Sequence, residues 1–390
     1  MNTDRAAPDV ASLRTVAREW TRIGVTGFGG PPAHIALLRE LVVTRKRWMS
    51  AREFEDANAA CGLLPGPAST QLAIFCAYRV AGAPGAIVGG LGFVVPAVVL
   101  VLALSVLFLS HARPVWVRGA GAGAGAAVAA VALHAARGLL GPSLQRVRAD
   151  RARLAAWLGY LVAGVAAAAL IGPYLVLVLL GCGLLELARR RCSSITSALH
   201  WGPLAMLAPA ASSGGLAALA WTAFKVGALS FGGGFVIIPL MQGDAVHTYH
   251  WMTNSQFLNA VALGQVTPGP VVATVAAVGY AAHGLAGGLL AAVVVFTPSF
   301  SFILLGGGRF ERMRESTNAR AFLDGAGPAA IGAILGAAIT LAAALSEPWQ
   351  FAVLAAAAIV LLAVRRGIVE TLLGAGVIGA IAALLGAPLP

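Results

Sequence analysis

The sequence predicts an all-α polytopic membrane protein built from two inverted-topology repeats with broken or re-entrant helix hairpins. Composition, an internal repeat and the placement of arginine carry that prediction. Of the 390 residues, 59% are hydrophobic and only 11% are charged, against roughly 25% charged in an ordinary soluble domain. Mean hydropathy is +0.84, and several apolar runs approach the ~20 residues an α-helix needs to cross a hydrocarbon core of ~30 Å. A soluble enzyme, a disordered tail and a collagen-like repeat are excluded. The 48 glycines and 20 prolines mean that the helices cannot all be uninterrupted.

The second observation is a repeat. Gly24, Phe28, Gly29, Gly30, Trp48, Met49, Phe54, Ala57, Pro65, Gly66 and Pro67 recur without a gap as Gly227, Phe231, Gly232, Gly233, Trp251, Met252, Phe257, Ala260, Pro268, Gly269 and Pro270. Agreement at one offset across two Gly/Pro clusters and a Trp-Met pair divides the chain into homologous halves. The expected division is 1–200 for the N-terminal repeat, 201–220 for a connecting segment and 221–390 for the C-terminal repeat.

Arginine then orients the halves. The net charge of +12 would suit nucleic-acid binding, but basic residues also gather in the cytoplasmic loops of membrane proteins. Arg39, Arg45, Lys46, Arg47 and Arg52 crowd one loop, whereas its equivalent, 242–255, has no Lys or Arg. The bias reverses at the next connection, where Arg309, Arg312, Arg314 and Arg320 outweigh Arg113 and Arg118. It reverses again between Arg137–Arg153 and the turn 346–349, and again between Gly172-Pro173 and Arg365-Arg366. Four alternations place the halves upside down relative to each other, an arrangement typical of secondary transporters.

In chain order, 84–110, 115–137, 153–171 and 173–188 read as crossings, with 285–307, 322–345, 348–364 and 368–387 as counterparts. Segment 12–44 is cut by Gly27-Phe28-Gly29-Gly30-Pro31-Pro32, and 53–82 by Pro65-Gly66-Pro67. The resulting arms are too short to span. Each such segment is therefore expected to enter and return as a hairpin with its tip inside the membrane. An inverted second half needs one more crossing, and 203–220 is the weak candidate. Cys61, Cys76, Cys182 and Cys192 have no metal or disulfide spacing and read as small packing residues. The first twenty residues lack a signal-peptide core, so a cytoplasmic-type membrane is expected, with no cleavage.

The breaks carry the chemistry. Irregular backbone at membrane depth is tolerated only where protein buries it or it lines a wet cavity. Helix arms that start after a break point their N–H groups and positive dipole ends into that space, which suits an anion. Proline at a first turn loses no needed hydrogen bond, and glycine permits close backbone approach. Small polar residues follow the Pro-Gly-Pro tips, namely Ser69, Thr70 and Gln71 in one half and Thr274 in the other, with Thr267 just before. These would complete an oxyanion shell. Arg22 and Lys225 are equivalent cations two residues ahead of Gly24 and Gly227, placed for substrate attraction or for snorkelling to the interface. His34, Glu53, Asp56, His134, Glu186, His283 and Asp324 are the candidate proton carriers, most of them reading as loop-edge or capping groups.

TGFGGPPAHIALLRE, RKRWMSAREFEDANAACGLLPGPASTQLA and GAPGAIVGGLGFVVPA resemble the first half of the chromate ion transporter family. KVGALSFGGGFVIIPLM, HWMTNSQFLNAVALGQVTPGPVVATVA and FTPSF resemble its second half. The pattern falls on Phe28, Gly29, Gly30, Pro31, His34, Trp48, Pro65, Gly66 and Pro67. In the second half it falls on Gly227, Phe231, Gly232, Gly233, Gly234, Trp251, Pro268, Gly269 and Pro270. Cys61-Gly62 departs from a more usual Cys-Gln pair, while Gly264-Gln265 keeps the glutamine. The resemblance implies a long, two-domain member that exports chromate from the bacterial cytoplasm, is driven by the proton motive force and lowers chromate toxicity. Expected partners are a chromate- or sulfate-like oxyanion, a proton as coupling ion and the lipid bilayer, with no nucleic acid and no cofactor. The sequence leaves a homodimer open, and a sulfate transporter, a membrane reductase and a channel stand as alternatives.

Overall fold

A computed structural model describes residues 11–64, 66–109, 114–170, 172, 175–191, 214–230, 235–306 and 317–390. Among these there is helix and no strand. The first half holds α1 (Leu13–Thr26), α2 (Pro31–Arg39), α3 (Ala51–Leu63), α4 (Ala68–Leu109), α5 (Val115–Gln145), α6 (Arg151–Leu170) and α7 (Leu175–Arg191). The second holds α8 (Leu216–Leu229), α9 (Ile237–Gln242), α10 (Asn254–Val266), α11 (Thr274–Gly306), α12 (Thr317–Ala343), α13 (Pro348–Ile359) and α14 (Ile368–Leu384). Each of the eight expected crossings falls on a helix. Five helical stretches are long and apolar enough to span a membrane: 68–109, 115–145, 151–170, 271–306 and 320–343. Exposed Val99 and Val293 on two of these stretches, and Val377 and Ile381 on the shorter apolar α14, give the molecule an outer face that suits lipid rather than water. Of the weak crossing at 203–220, residues 203–213 lie outside the described residues.

The repeat is kept in fine geometry. α3 starts with Ser50 and Glu53 in a reciprocal cap, and α10 with Thr253 and Gln256 in the same one, satisfying two orphan N–H groups each. α2 widens into a π-type turn at Glu40–Arg45 and α9 into another at Gly243–Thr248. Left-handed Arg47 and His250 follow at equivalent places.

The short segments form hairpins, and groups at their mouths show it. Arg45 reaches Glu19 at 2.6 Å, so the chain beyond α2 has returned alongside α1. Arg79 reaches Glu53 at 3.4 Å, so the first arm of α4 has returned alongside α3. In the second half Trp251 Nε1 donates to the Gly214 carbonyl at 2.9 Å, and His283 Nε2 lies 3.2 Å from the same oxygen. α4 then reverses at Ala81-Gly82 and α11 at His283-Gly284, with Gly82 and Gly284 at φ 65° and 62°. After the reversal Gly85 packs on Ala77, and Gly287 on Gly279.

The longer helices exchange between halves. α5 packs against α13 and α14, while its equivalent α12 packs against α6 and α7. Glycine makes these contacts close: a Cβ on Gly123 would strike Gly379, and one on Gly325 would strike Cys182, the small-residue packing that membrane helices use in place of a hydrophobic drive. The start of α5 lies with the start of α13, where Gln350 Nε2 donates to Ala122 O at 3.3 Å. The end of α5 shares a cavity with the start of α12, through Ser143, Arg146, Arg320 and Asp324. Equivalent helices α5 and α12 therefore run antiparallel, which is the inversion that the arginines predict.

Candidate functional site at the crossed hairpin tips

Gly27 ends α1, its N–H bonded to Ile23 O at 2.7 Å. Gly29 and Gly30 follow at φ 101° and 73°, and Gly66 and Gly269 stand at 120° and 91°. L side chains avoid that region, so glycine is dictated by the backbone. Pro31 and Pro32 then open α2, where a missing N–H costs nothing.

The tips cross between halves. Gly269 N–H donates to Gly27 O at 3.0 Å, and a Cβ on Gly269 would lie 3.5 Å from Gly24 O and 2.8 Å from the Ala97 methyl. In the reciprocal contact, a Cβ on Gly66 would lie 3.2 Å from Gly227 O and 2.6 Å from the Gln71 amide nitrogen. Gly24 itself seats on Gly92 and Phe93, and Gly227 on Val295. Each half thus presses its Pro-Gly-Pro tip on the glycine helix end of the other, an isologous contact around a pseudo-two-fold axis. Phe93, Ala97 and Val295 lie near the middle of their spanning arms, which places the crossing at mid-span.

Around the crossing, Ser69, Thr70, Gln71, Ser230, Gln265, Thr267 and Thr274 are all buried. His34 is fully buried, with Nε2 3.0 Å from Gly27 O, Nδ1 3.3 Å from Ser69 Oγ and its ring edge-on to Phe93. A carbonyl only accepts, so Nε2 carries the hydrogen, and in the neutral ring Nδ1 accepts from Ser69. His34 and Ser69 brace the tip. Thr267 and Thr274 give their hydroxyls to Gly264 O and Val271 O. The hydroxyls of Thr70 and Ser230 and the Nε2 of Gln265 have no hydrogen-bond partner among the described residues. A buried polar group left so costs about 1–3 kcal/mol, which a ligand offering several acceptor oxygens would relieve.

The structure divides the predicted site residues. It brings together Gly66, Pro67, Ser69, Thr70, Gln71, His34, Gln265, Thr267, Gly269, Pro270 and Thr274 through the crossing contacts and the short segments that carry them. Phe28 is half-exposed, and Arg22 is exposed on the outer face of α1. Pro65, Phe231, Gly232, Gly233 and Gly234 lie outside the described residues. Lys225 is already paired. Its ammonium is 2.6 Å from Asp244 Oδ2, which also accepts from Thr222 Oγ1 at 2.9 Å, so it is a neutralised member of a buried pair. Arg22 has no such acid, because Leu41 stands where Asp244 does. Sequence reasoning passed over Asp244, although an acid in a loop without Lys or Arg was the available signal. The proton-carrier candidates are mostly tied elsewhere: Glu53 caps α3, Glu186 holds Arg189 and Arg190, and Asp324 holds Arg190.

The fold and this site define a multi-pass membrane transporter of the inverted-repeat kind, with mid-span breaks donated by both halves. A family model described as chromate transporter matches residues 14–187 and 217–390. A chromate transport protein of Cupriavidus metallidurans is 32% identical over 381 residues, 95% of this chain and 93% of its own length. One from Pseudomonas aeruginosa is 31% identical, covering 88% and 85%. An uncharacterized transporter of Methanocaldococcus jannaschii is 27% identical, covering 78% of each. The chain belongs to the chromate transporter family. No solved structure matches it.

Proposed function

We propose that the crossed tips bind a tetrahedral oxyanion, chromate foremost, and that the protein exports it from the bacterial cytoplasm, driven by the proton motive force, so lowering chromate toxicity. The observation that carries this reading is the Gly269 N–H to Gly27 O bond with its reciprocal Gly66–Gly227 contact. Two glycine tips of opposite orientation converge beside segments in which Thr70, Ser230 and Gln265 hold buried polar groups without a partner among the described residues. The names of the bacterial relatives support chromate as the substrate. An interior-negative potential favours outward movement of a dianion by about 4.6 kcal/mol per 100 mV, at roughly 2.3 kcal/mol per charge.

Asp244 is the coupling acid in this reading. Protonation removes its charge and releases Lys225 toward an incoming dianion, so proton and anion binding reinforce each other. Of the two buried acids among the described residues, Glu186 and Asp244, Asp244 is the one beside α8, whose Gly227 lies at the crossing.

Uptake of labelled chromate into everted vesicles, with and without an imposed proton gradient and with sulfate as competitor, tests the reading. Gradient-dependent accumulation, weakly inhibited by sulfate, is expected, with Asp244→Asn losing the gradient dependence. Movement of sulfate without chromate would make the substrate wrong while keeping the site. Failure to move either would overturn it.

A further inference from the structure

A cavity of about 600 Å³ runs between the end of α5, the start of α12 and the last turn of α3. Its inner wall includes Gly62 and Val236. Gly62 leads into the first Pro-Gly-Pro tip, and Val236 follows the glycine break of the second half. At its arginine-rich end stand Arg146 and Arg320. The one acid in the lining, Asp324, is held by Arg190 at 2.6 Å, whereas neither Arg146 nor Arg320 has an ion-pair partner among the described residues. Among the described residues the lining therefore carries uncompensated positive charge.

The equivalent place in the other half holds a smaller cavity of about 360 Å³, lined by Gly121, Ala124, Asn259 and Ala262 among others and by no charged residue. On α5, a Cβ at Gly125 would lie 3.0 Å from Leu258 Cβ, and one at Gly121 would lie 2.9 Å from the Asn259 amide, both on α10. On α12 the equivalent of Gly125 is Gly327, in register with the Gly123 and Gly325 contacts described above. A Cβ at Gly327 meets nothing within 4 Å, and Gly327 lines the cavity. α10 thus lies closer on α5 than α3 does on α12, and the larger, charged cavity is on the side that the arginine bias assigns to the cytoplasm.

We propose that Arg146 and Arg320 form a capture site for divalent oxyanions in a cytoplasm-facing vestibule, which delivers them along Gly62 to the crossed tips. The inference rests on the transport reading for its purpose, while the site itself is open to a direct binding test. Charged clefts with low-dielectric walls concentrate counter-ions by 10-fold or more. Closure of α3 on α12, with release of α10 from α5, would turn the same opening to the other face.

Two measurements test it. In everted vesicles the double variant Arg146→Gln/Arg320→Gln should raise KM for chromate about tenfold with maximal rate within twofold, and Arg→Lys at both positions should restore KM. An unchanged KM would overturn the capture site. Independently of transport, Gly327→Cys in a chain lacking the native cysteines should react with a membrane-impermeant maleimide from the cytoplasmic face, and sulfate should slow the reaction. Sulfate serves as the probe because chromate oxidises thiols. Labelling from the opposite face only, or labelling that sulfate does not slow, would overturn the proposal even if chromate export were established. A protein that moves no oxyanion but shows sulfate protection would retain the site and lose the transport reading.

Discussion

Arg22 and Lys225 occupy the same position in the two repeats, yet they live in different surroundings. Arg22 lies on an exposed face of α1 with Arg14 and Arg18. Lys225 is largely buried and paired with Asp244, and the neighbouring outer face of α8 carries Leu216 and Phe224. The backbone around them is the same, down to the glycine two residues later, the π-type turn and the reciprocal helix cap. The repeats have kept what the tips require and diverged in charge. Geometry is thus set by glycine and proline and shared, while electrostatics is added by one half. A buried ion pair is weak evidence for stability, which points to Lys225–Asp244 as a functional device.

The comparison is broken most severely at the tips. Gly66→Val and Gly269→Val each place a β-branched side chain at positive φ against the opposite half, at a strain of about 1–3 kcal/mol before any clash. Both should abolish vesicle uptake while leaving inserted protein at near-normal levels. A variant with more than half the normal rate would show that the tips do not act together.

Charge should separate the halves next. Lys225→Met or Asp244→Asn alone leaves one buried charge unpaired, and should lower stability by about 3–5 kcal/mol, read as a fall in Tm in detergent. Asp244→Asn/Lys225→Met together should recover most of that loss. Arg22→Gln should change stability by less than about 0.5 kcal/mol. Equal losses for Arg22 and Lys225 variants would erase the distinction.

A smaller effect is expected at the unequal interfaces. Gly125→Leu overpacks α5 against α10 and should cost about 1–3 kcal/mol, whereas Gly327→Leu enters open space and should cost little. Smallest is the change at Gly62, where a Cβ meets nothing within 4 Å. Gly62→Gln supplies the first half with the amide that Gln265 provides in the second. A twofold to threefold fall in KM for chromate is expected, at about 0.4–0.7 kcal/mol, and a rise would mean that the asymmetry at this position is needed.

Much of this was legible in the sequence. The breaks could be read because only glycine takes the conformations of Gly29, Gly66 and Gly269, and the hairpins because their arms are too short to cross. The inversion could be read from arginine because it is enforced by the membrane, not by packing. One local detail escaped the ungapped repeat. Pro67 and Pro270 are 203 apart, but Gly82 and Gly284 are 202 apart, so the second arm is one residue shorter. It opens with a 3₁₀ turn at Val271–Ala273, whose rise of about 2.0 Å per residue against 1.5 Å recovers about 1.5 Å over three residues, the rise of the missing one.

The sequence by itself determined the helices, their breaks, their pairing into repeats and their orientation, because each follows from local conformational limits or from the lipid boundary. Only the tertiary structure decided which half each helix would pack on, that Gly269 would meet Gly27 across the repeats, and that Lys225 would be answered by Asp244. It also decided that the cavity beside α12 would be lined by arginine and its smaller counterpart beside α5 by no charged residue. These depend on contacts between residues far apart in the chain, where near-identical small-residue stripes offer several partners and close fit of the whole assembly selects one.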